Sequence, residues 1–193
     1  FSRRFMVGLV LIAKVVASEM LDFVLDENIQ IHGGNGFVRD YPAERHYRDS
    51  RVNRIFEGTS EINRLLISGM LVRRAVKGDL PVVAAAVALQ QELAATPRPL
   101  SARDAVLGNE QELVAQFKKA ALLVFGVALQ TYGDTLSDQQ EVLMLGADML
   151  MDIYAAESAL LRATALAESE HEGAPLHTAA ARVFVNDAAM RLQ

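Results

Sequence analysis

Apolar residues recur at three- and four-residue spacing through most of this chain, the period of a helix face rather than the two-residue alternation of a strand. From Phe5 to about Asn28 the set Met6, Leu9, Val10, Ala13, Val16, Ala17, Met20 and Val24 predicts one long amphipathic helix. Thr59 or Ser60 caps the next long helix, with Ile62, Leu65, Leu66, Gly69 and Met70 as its stripe. Its end carries Arg73, Arg74 and Lys77, then Gly78 for a left-handed cap, then Pro81. A domain boundary belongs at residues 79–81, which divides the chain into 1–80 and 81–193.

Beyond that boundary Val82 to Ala95 reads as a short Ala/Val-rich helix. Thr96-Pro97-Arg98-Pro99 cannot continue it, because each proline lacks a donor and restrains its predecessor. A helix from about Ala105 or Asn109 to Tyr132 turns Leu113, Val114, Phe117, Ala121 and Val124 inward and ends at Gly133. Ser137-Asp138-Gln139-Gln140 has capping-box spacing and opens a helix reaching about Ser169. After a break at residues 173–175, a last helix from about Thr178 to Leu192 uses Val183, Phe184 and Ala188. The expectation is an all-α protein: an up-and-down helical bundle followed by a second helical domain.

One stretch, Gln30 to Arg64, is not explained by burying an apolar face. Gly33, Gly34 and Gly36 predict a loop whose backbone can pass close to a neighbour or ligand. Asp40 and Pro42 open a charged helix carrying Arg45, Arg48, Asp49, Arg51 and Arg54. Phe56-Glu57-Gly58-Thr59 then breaks the chain before the next helix. Glu57 sits between an aromatic and a glycine at a helix mouth, where shelter by Phe56 and the helix dipole pull its pKa in opposite directions. A carboxylate so placed can serve as a base, although a Glu at a helix N-terminus is more often a solvated dipole partner. Gly34-Asn35-Gly36 is no dinucleotide fingerprint: no strand precedes it, and Arg39 stands where a third glycine belongs.

Composition narrows the function classes. Net charge is −5, which argues against a nucleic-acid partner. The charge is uneven: residues 1–80 hold twelve Lys and Arg against ten Asp and Glu, the rest seven against fourteen. The arginines of the Gly-rich stretch therefore face phosphates or a partner subunit, or pair with Asp40, Glu44 and Asp49 on a helix surface. With no cysteine, thiolate and disulfide chemistry is excluded. The apolar run Phe5 to Ala13 stops at Lys14, short of the roughly 20 residues of a membrane span. His32 and His46 read as locally hydrogen-bonded, His171 and His177 lack the Cys or carboxylate arrangement of a metal site, and Met144 to Met151 reads as core.

Gln30 with Gly33, Gly34 and Gly36, then Tyr41-Pro42 and Arg45, then Arg48-Asp49, then Phe56-Glu57-Gly58-Thr59 with Glu61-Ile62, resembles the C-terminal helical domain of the acyl-CoA dehydrogenases. The likeness is clear over about Lys14 to Asp79. Its continuation is similar to the appended helical domain of very-long-chain and bacterial members. The resemblance implies a fragment, lacking the family's N-terminal helical domain, its middle β-domain and the start of this one.

In that family the glutamate matched by Glu57 is the base that removes the α-proton of a fatty acyl-CoA, while a hydride leaves the β-carbon for FAD. The backbone N–H of the same residue helps to polarise the thioester carbonyl. Phe56 and Gly58 match positions lining the acyl and thioester end. Gln30, Gly33 and Gly34 match the region that approaches the FAD adenosine of a neighbouring subunit, and Thr59 and Glu61 match positions near FAD phosphates or ribose. The resemblance further implies electron-transfer flavoprotein as acceptor, a homodimer or tetramer, a bacterial cytoplasmic setting with peripheral membrane contact, and no activity in the fragment alone. The competing reading is a non-catalytic helical dimerisation or membrane-docking module, which fits residues 82–193 better than the enzyme reading does but leaves Phe56-Glu57-Gly58-Thr59 after the glycine loop unexplained.

Overall fold

The computed structural model describes residues 3–95 and 106–192, so the proline connector at 96–99 lies outside the described residues. Among the described residues every regular element is helical. In order these are α1 (Arg3–His32), α2 (Gly34–Phe37), α3 (Ala43–Arg51), α4 (Ser60–Val76), α5 (Val82–Ala95), α6 (Gly108–Tyr132), α7 (Gln140–Glu168) and α8 (Ala174–Arg191). Short 3-10 turns at Val52–Arg54 and Gly133–Asp138 follow α3 and α6. Contacts divide the chain into two compact units, one running to Met70 and the other starting at Leu71.

In the first unit α1 packs against α2, α3 and the turn after α3. Its inner face is not the stripe expected. Val15 and Ser18 are buried, whereas Val10, Met20 and Val24 are all at least half exposed. The helix carries apolar residues on more than one side, and its neighbours in this unit cover only one. The same holds for α4, where Ile62 and Leu66 are exposed and the buried face is Ser60, Asn63, Ile67 and Ser68. Apolar periodicity locates a helix; it does not say which face has a neighbour.

The expected glycine loop is partly helical, since residues 34–37 form the single turn α2. Gly36 makes it compact: a Cβ there would stand 2.6 Å from the Ile29 carbonyl oxygen. Pro42 precedes α3 as expected, but no side chain caps that helix and Asp40 plays no such part. At the end of α4, Gly78 has φ +78°, and the amides of Gly78 and Asp79 return to the carbonyls of Ala75 and Arg74. This is the Schellman turn for which a glycine is suited.

In the second unit α5 packs on α6, α6 on α7, and α7 on α8. Val114, Phe117 and Ala121 of α6 meet Ile153, Ala156 and Leu160 of α7 and Ala181, Val185 and Ala188 of α8 in one core. Burying each large member contributes roughly 1.5–3 kcal/mol. Two expected core positions turn outward, Val124 and Val183. The capping box at 137–140 does not form. The 3-10 turn occupies that segment, Ser137 Oγ donates to the Asp134 carbonyl, and α7 starts without a side-chain cap. Likewise α8 begins at Ala174, four residues before Thr178, with Pro175 in its first turn, where a missing N–H costs nothing. No helix among the described residues is long and apolar enough to cross a membrane.

Candidate functional site

Among the described residues, polar ties bind α1 to the segment that leads into α4 and to the start of α4 itself. Arg54 Nη1 donates to Asp22 at 2.7 Å, and Arg64 grips Glu19 through both guanidinium nitrogens at 2.7 and 2.8 Å. Lys14 Nζ donates to the Gly58 carbonyl at 2.9 Å. The bidentate pair is the directional one, because a planar guanidinium matches a carboxylate in position and angle. Together they hold residues 55–59 against a long, rigid helix.

Glu57 stands at the centre of that segment. Its φ is +55°, a left-handed conformation that costs an L-residue roughly 1–2 kcal/mol. Strain of this kind persists where the surroundings over-determine it, and it collects at functional sites. The Glu57 side chain is exposed, and among the described residues its carboxylate takes part in no hydrogen bond or ion pair. Phe56, expected to shelter it, is itself 45% exposed, so this chain alone does not enclose the carboxylate. Gly58 follows with φ +82°, and a Cβ there would lie 2.8 Å from Asn63 Oδ1. Only glycine fits.

Thr59 begins α4 in the capping role expected of it, its Oγ1 accepting the Ile62 amide at 3.3 Å. Glu61 lies in the first turn of the helix. Its own backbone amide and then the Thr59 hydroxyl hold its carboxyl below the usual carboxylate range; burial pushes weakly the other way, and Arg64 and Arg54 add to the lowering. On the same helix Ser60 Oγ and Ser68 Oγ are buried and find no hydrogen-bond partner among the described residues.

Gln30 lies in the last turn of α1, and Gly33 and Gly34 follow that helix, well away from Lys14 in its interior. Gln30 is exposed, and at Gly33 and Gly34 the space a Cβ would occupy has no neighbour within 4 Å. Among the described residues no hydrogen bond or ion pair joins 30–34 to 56–61, although both belong to the first unit. His32 Nδ1 is bonded locally to the Asn28 carbonyl at 2.8 Å, as expected, whereas His46 is exposed and makes no side-chain bond among the described residues. Of the arginines, Arg48 pairs with Glu44 on the surface of α3.

Two residues of this site are not marked as part of it by the sequence, Lys14 and Asn63. Asn63 is 1% exposed and its Nδ2 donates to the Gly58 carbonyl at 2.9 Å, so that oxygen accepts from both. The one signal was a lysine ending an otherwise apolar run.

Models of the acyl-CoA dehydrogenase C-terminal domain match the chain twice, over residues 7–71 and over residues 116–193. A Bacillus subtilis protein named "Probable acyl-CoA dehydrogenase" is 45% identical over 91% of this chain and 30% of its own length. The human mitochondrial short-chain specific acyl-CoA dehydrogenase is 56% identical over 32% of the chain and 15% of its own. A crystal structure of an acyl-CoA dehydrogenase complexed with FAD from Bacillus anthracis superposes with a TM-score of 0.85 at 43% identity, covering 94% of this chain and 30% of that one. The chain therefore spans about 30% of the length of the Bacillus subtilis and Bacillus anthracis proteins.

Proposed function

The chain belongs to the acyl-CoA dehydrogenase family, and on that premise we propose that it is the C-terminal part of an FAD-dependent enzyme that dehydrogenates fatty acyl-CoA thioesters in β-oxidation, with Glu57 as the base. The observation that carries this reading is the state of Glu57: an exposed carboxylate with no partner among the described residues, on a strained left-handed backbone in a segment tied to α1 at Arg54 and Gly58. A capping or dipole glutamate needs no such strain. Glu61, one turn on, already serves as the carboxylate at the helix mouth.

The chemistry asks two things of Glu57. Its carboxylate accepts the proton from the carbon next to the thioester, a step in which a positioned base contributes roughly 10²–10⁴-fold. Its backbone N–H donates to the thioester oxygen, where negative charge develops as that proton leaves. Both tasks belong to one residue, so one backbone twist sets both. Phe56 offers an apolar ring to the acyl chain, and Gly58 leaves room beside the thioester.

The bare space at Gly33 and Gly34 fits close approach by the adenosine part of FAD, with exposed Gln30 beside it. Thr59 fits a phosphate neighbour. Glu61 fits less simply, because its carboxylate would meet a diphosphate; accepting from a ribose hydroxyl is the role open to it. Flavin, when bound, supplies the hydride acceptor. The acceptor beyond it is an electron-transfer flavoprotein, and the assembly is a homodimer or tetramer.

The test is anaerobic addition of fatty acyl-CoAs of graded length to the whole flavin-loaded protein. Stoichiometric bleaching of the flavin by at least one of them is expected; bleaching by none would overturn the reading. The chain alone is expected neither to hold FAD stoichiometrically nor to act. A second role, surface docking, is favoured for residues 71–193 by Leu176, Val183 and Met190, all exposed at seven-residue spacing on α8.

A further inference from the structure

Of the ties described between α1 and residues 54–64, two join arginine to carboxylate and leave the backbone untouched. A third is different. Lys14 crosses 44 residues of sequence to place a half-buried ammonium on a single backbone carbonyl, that of Gly58, and among the described residues it has no carboxylate partner. The same oxygen also accepts from Asn63 Nδ2. A charged donor on a carbonyl makes a bond about twice as strong as a neutral one, and here that strength falls on the carbonyl of the residue after the strained one.

We propose that Lys14 is a positioning residue for Glu57. With Asn63 it clamps the Gly58 carbonyl and so holds the left-handed turn from which the Glu57 carboxylate and backbone N–H both act. This rests on the reading of Glu57 as base. The geometry explains why a cation is used. Glu57 at φ +55° holds a conformation an unrestrained L-residue would leave, and Gly58 continues the turn at φ +82°, which glycine adopts freely. Pinning the Gly58 carbonyl from α1 on one side and from inside α4 on the other removes the rotation by which it would relax. Asn63 fills the space a Gly58 side chain would need, so glycine, asparagine and lysine form one interlocked unit. Among the described residues Lys14 makes no hydrogen bond or ion pair with Glu57 itself; it acts through the carbonyl of the next residue.

The experiment compares Lys14→Met, Lys14→Arg and Glu57→Gln in the whole flavin-loaded protein, reading single-turnover flavin reduction, acyl-CoA affinity, flavin content and melting temperature. Displacing a catalytic group by about 1 Å costs roughly 10²-fold. Lys14→Met is therefore expected to slow flavin reduction about 100-fold, with acyl-CoA affinity within about threefold and full flavin content, and Lys14→Arg to recover most of the rate. Reduction by Lys14→Met at the wild-type rate, or slowed only in proportion to lost flavin, overturns the proposal. If Lys14→Met yields no folded protein, Lys14→Gln is read by the same criteria, since it keeps a donor and loses the charge. Glu57→Gln separates the two ideas. If it still reduces flavin, the base assignment falls; if it is inactive while Lys14→Met is unimpaired, only the positioning role falls.

Discussion

Replacing Gly126 by alanine distinguishes a glycine required by packing from one that merely weakens a helix. Gly126 is buried in α6 where that helix crosses α5, and a Cβ there would land under 3.0 Å from the Ala86 Cβ. Methyl groups in contact need about 3.5–4.0 Å. Ala86 is 1% exposed and has no χ angle through which to yield, so the two backbones must part. Overpacking of this kind costs about 1–3 kcal/mol, and the upper end applies to a neighbour that cannot rotate. Against it stands the gain of about 1 kcal/mol when alanine replaces glycine inside a helix. The net expectation is a loss of about 2 kcal/mol, which for a unit of this size lowers the melting temperature by roughly 6–10 °C. Thermal unfolding followed by circular dichroism reads it. The compensating variant Ala86→Gly with Gly126→Ala exchanges the methyl for the gap, and its melting temperature should return close to wild type. Stabilisation by Gly126→Ala alone, as on an exposed helix, would refute the packing argument.

The remaining predictions concern the charges and the caps. Arg182→Ala should cost about 2 kcal/mol in urea unfolding, more than Glu110→Gln at about 1 kcal/mol, because Glu110 is the buried partner and losing Arg182 strands its charge. Equal costs would contradict that asymmetry. Glu170 closes α7 in the left-handed position of a Schellman turn, with φ +52° and the His171 amide on the Leu166 carbonyl, so Glu170→Gly should raise the melting temperature by the equivalent of about 1 kcal/mol. The Glu61 carboxyl is held below its unfolded pKa, chiefly by its own amide and then by Thr59, so its contribution is present above the usual value of 4.5 and is lost as pH falls through the lowered folded value. Glu61→Gln should accordingly flatten the acid side of the melting profile below that value, and an unchanged slope would contradict the cause.

The all-helical fold was legible because the three-to-four residue period runs the length of the chain, and α5 occupies the very span expected of it. Caps were legible where the residue type matched the geometry: Gly78 ends α4 and Thr59 opens it. They were not where type and geometry part company. Nothing in a glutamate announces the left-handed turn at 170, and Ser137 with Gln140 spells a capping box that a 3-10 turn displaces. Burial faces were misread on α1 and α4 because an apolar stripe reports only that some neighbour covers it. Of the site, the run from Phe56 to Glu61 was readable as a string. The backbone strain at Glu57 and the clamp by Lys14 and Asn63 were not, because they arise from contacts across 44 residues of sequence and from a donor aimed at a main-chain oxygen, which leaves no pattern in residue types.

The measurement that bears most directly on the account is single-turnover flavin reduction in the whole protein carrying Glu57→Gln, with acyl-CoA binding followed in the same samples. The substitution keeps size and polarity and removes the basic oxygen. The account predicts acyl-CoA affinity within about threefold of wild type and flavin reduction slowed by at least about 10²-fold. Reduction at the wild-type rate would mean that the proton is taken by another group, and would contradict it.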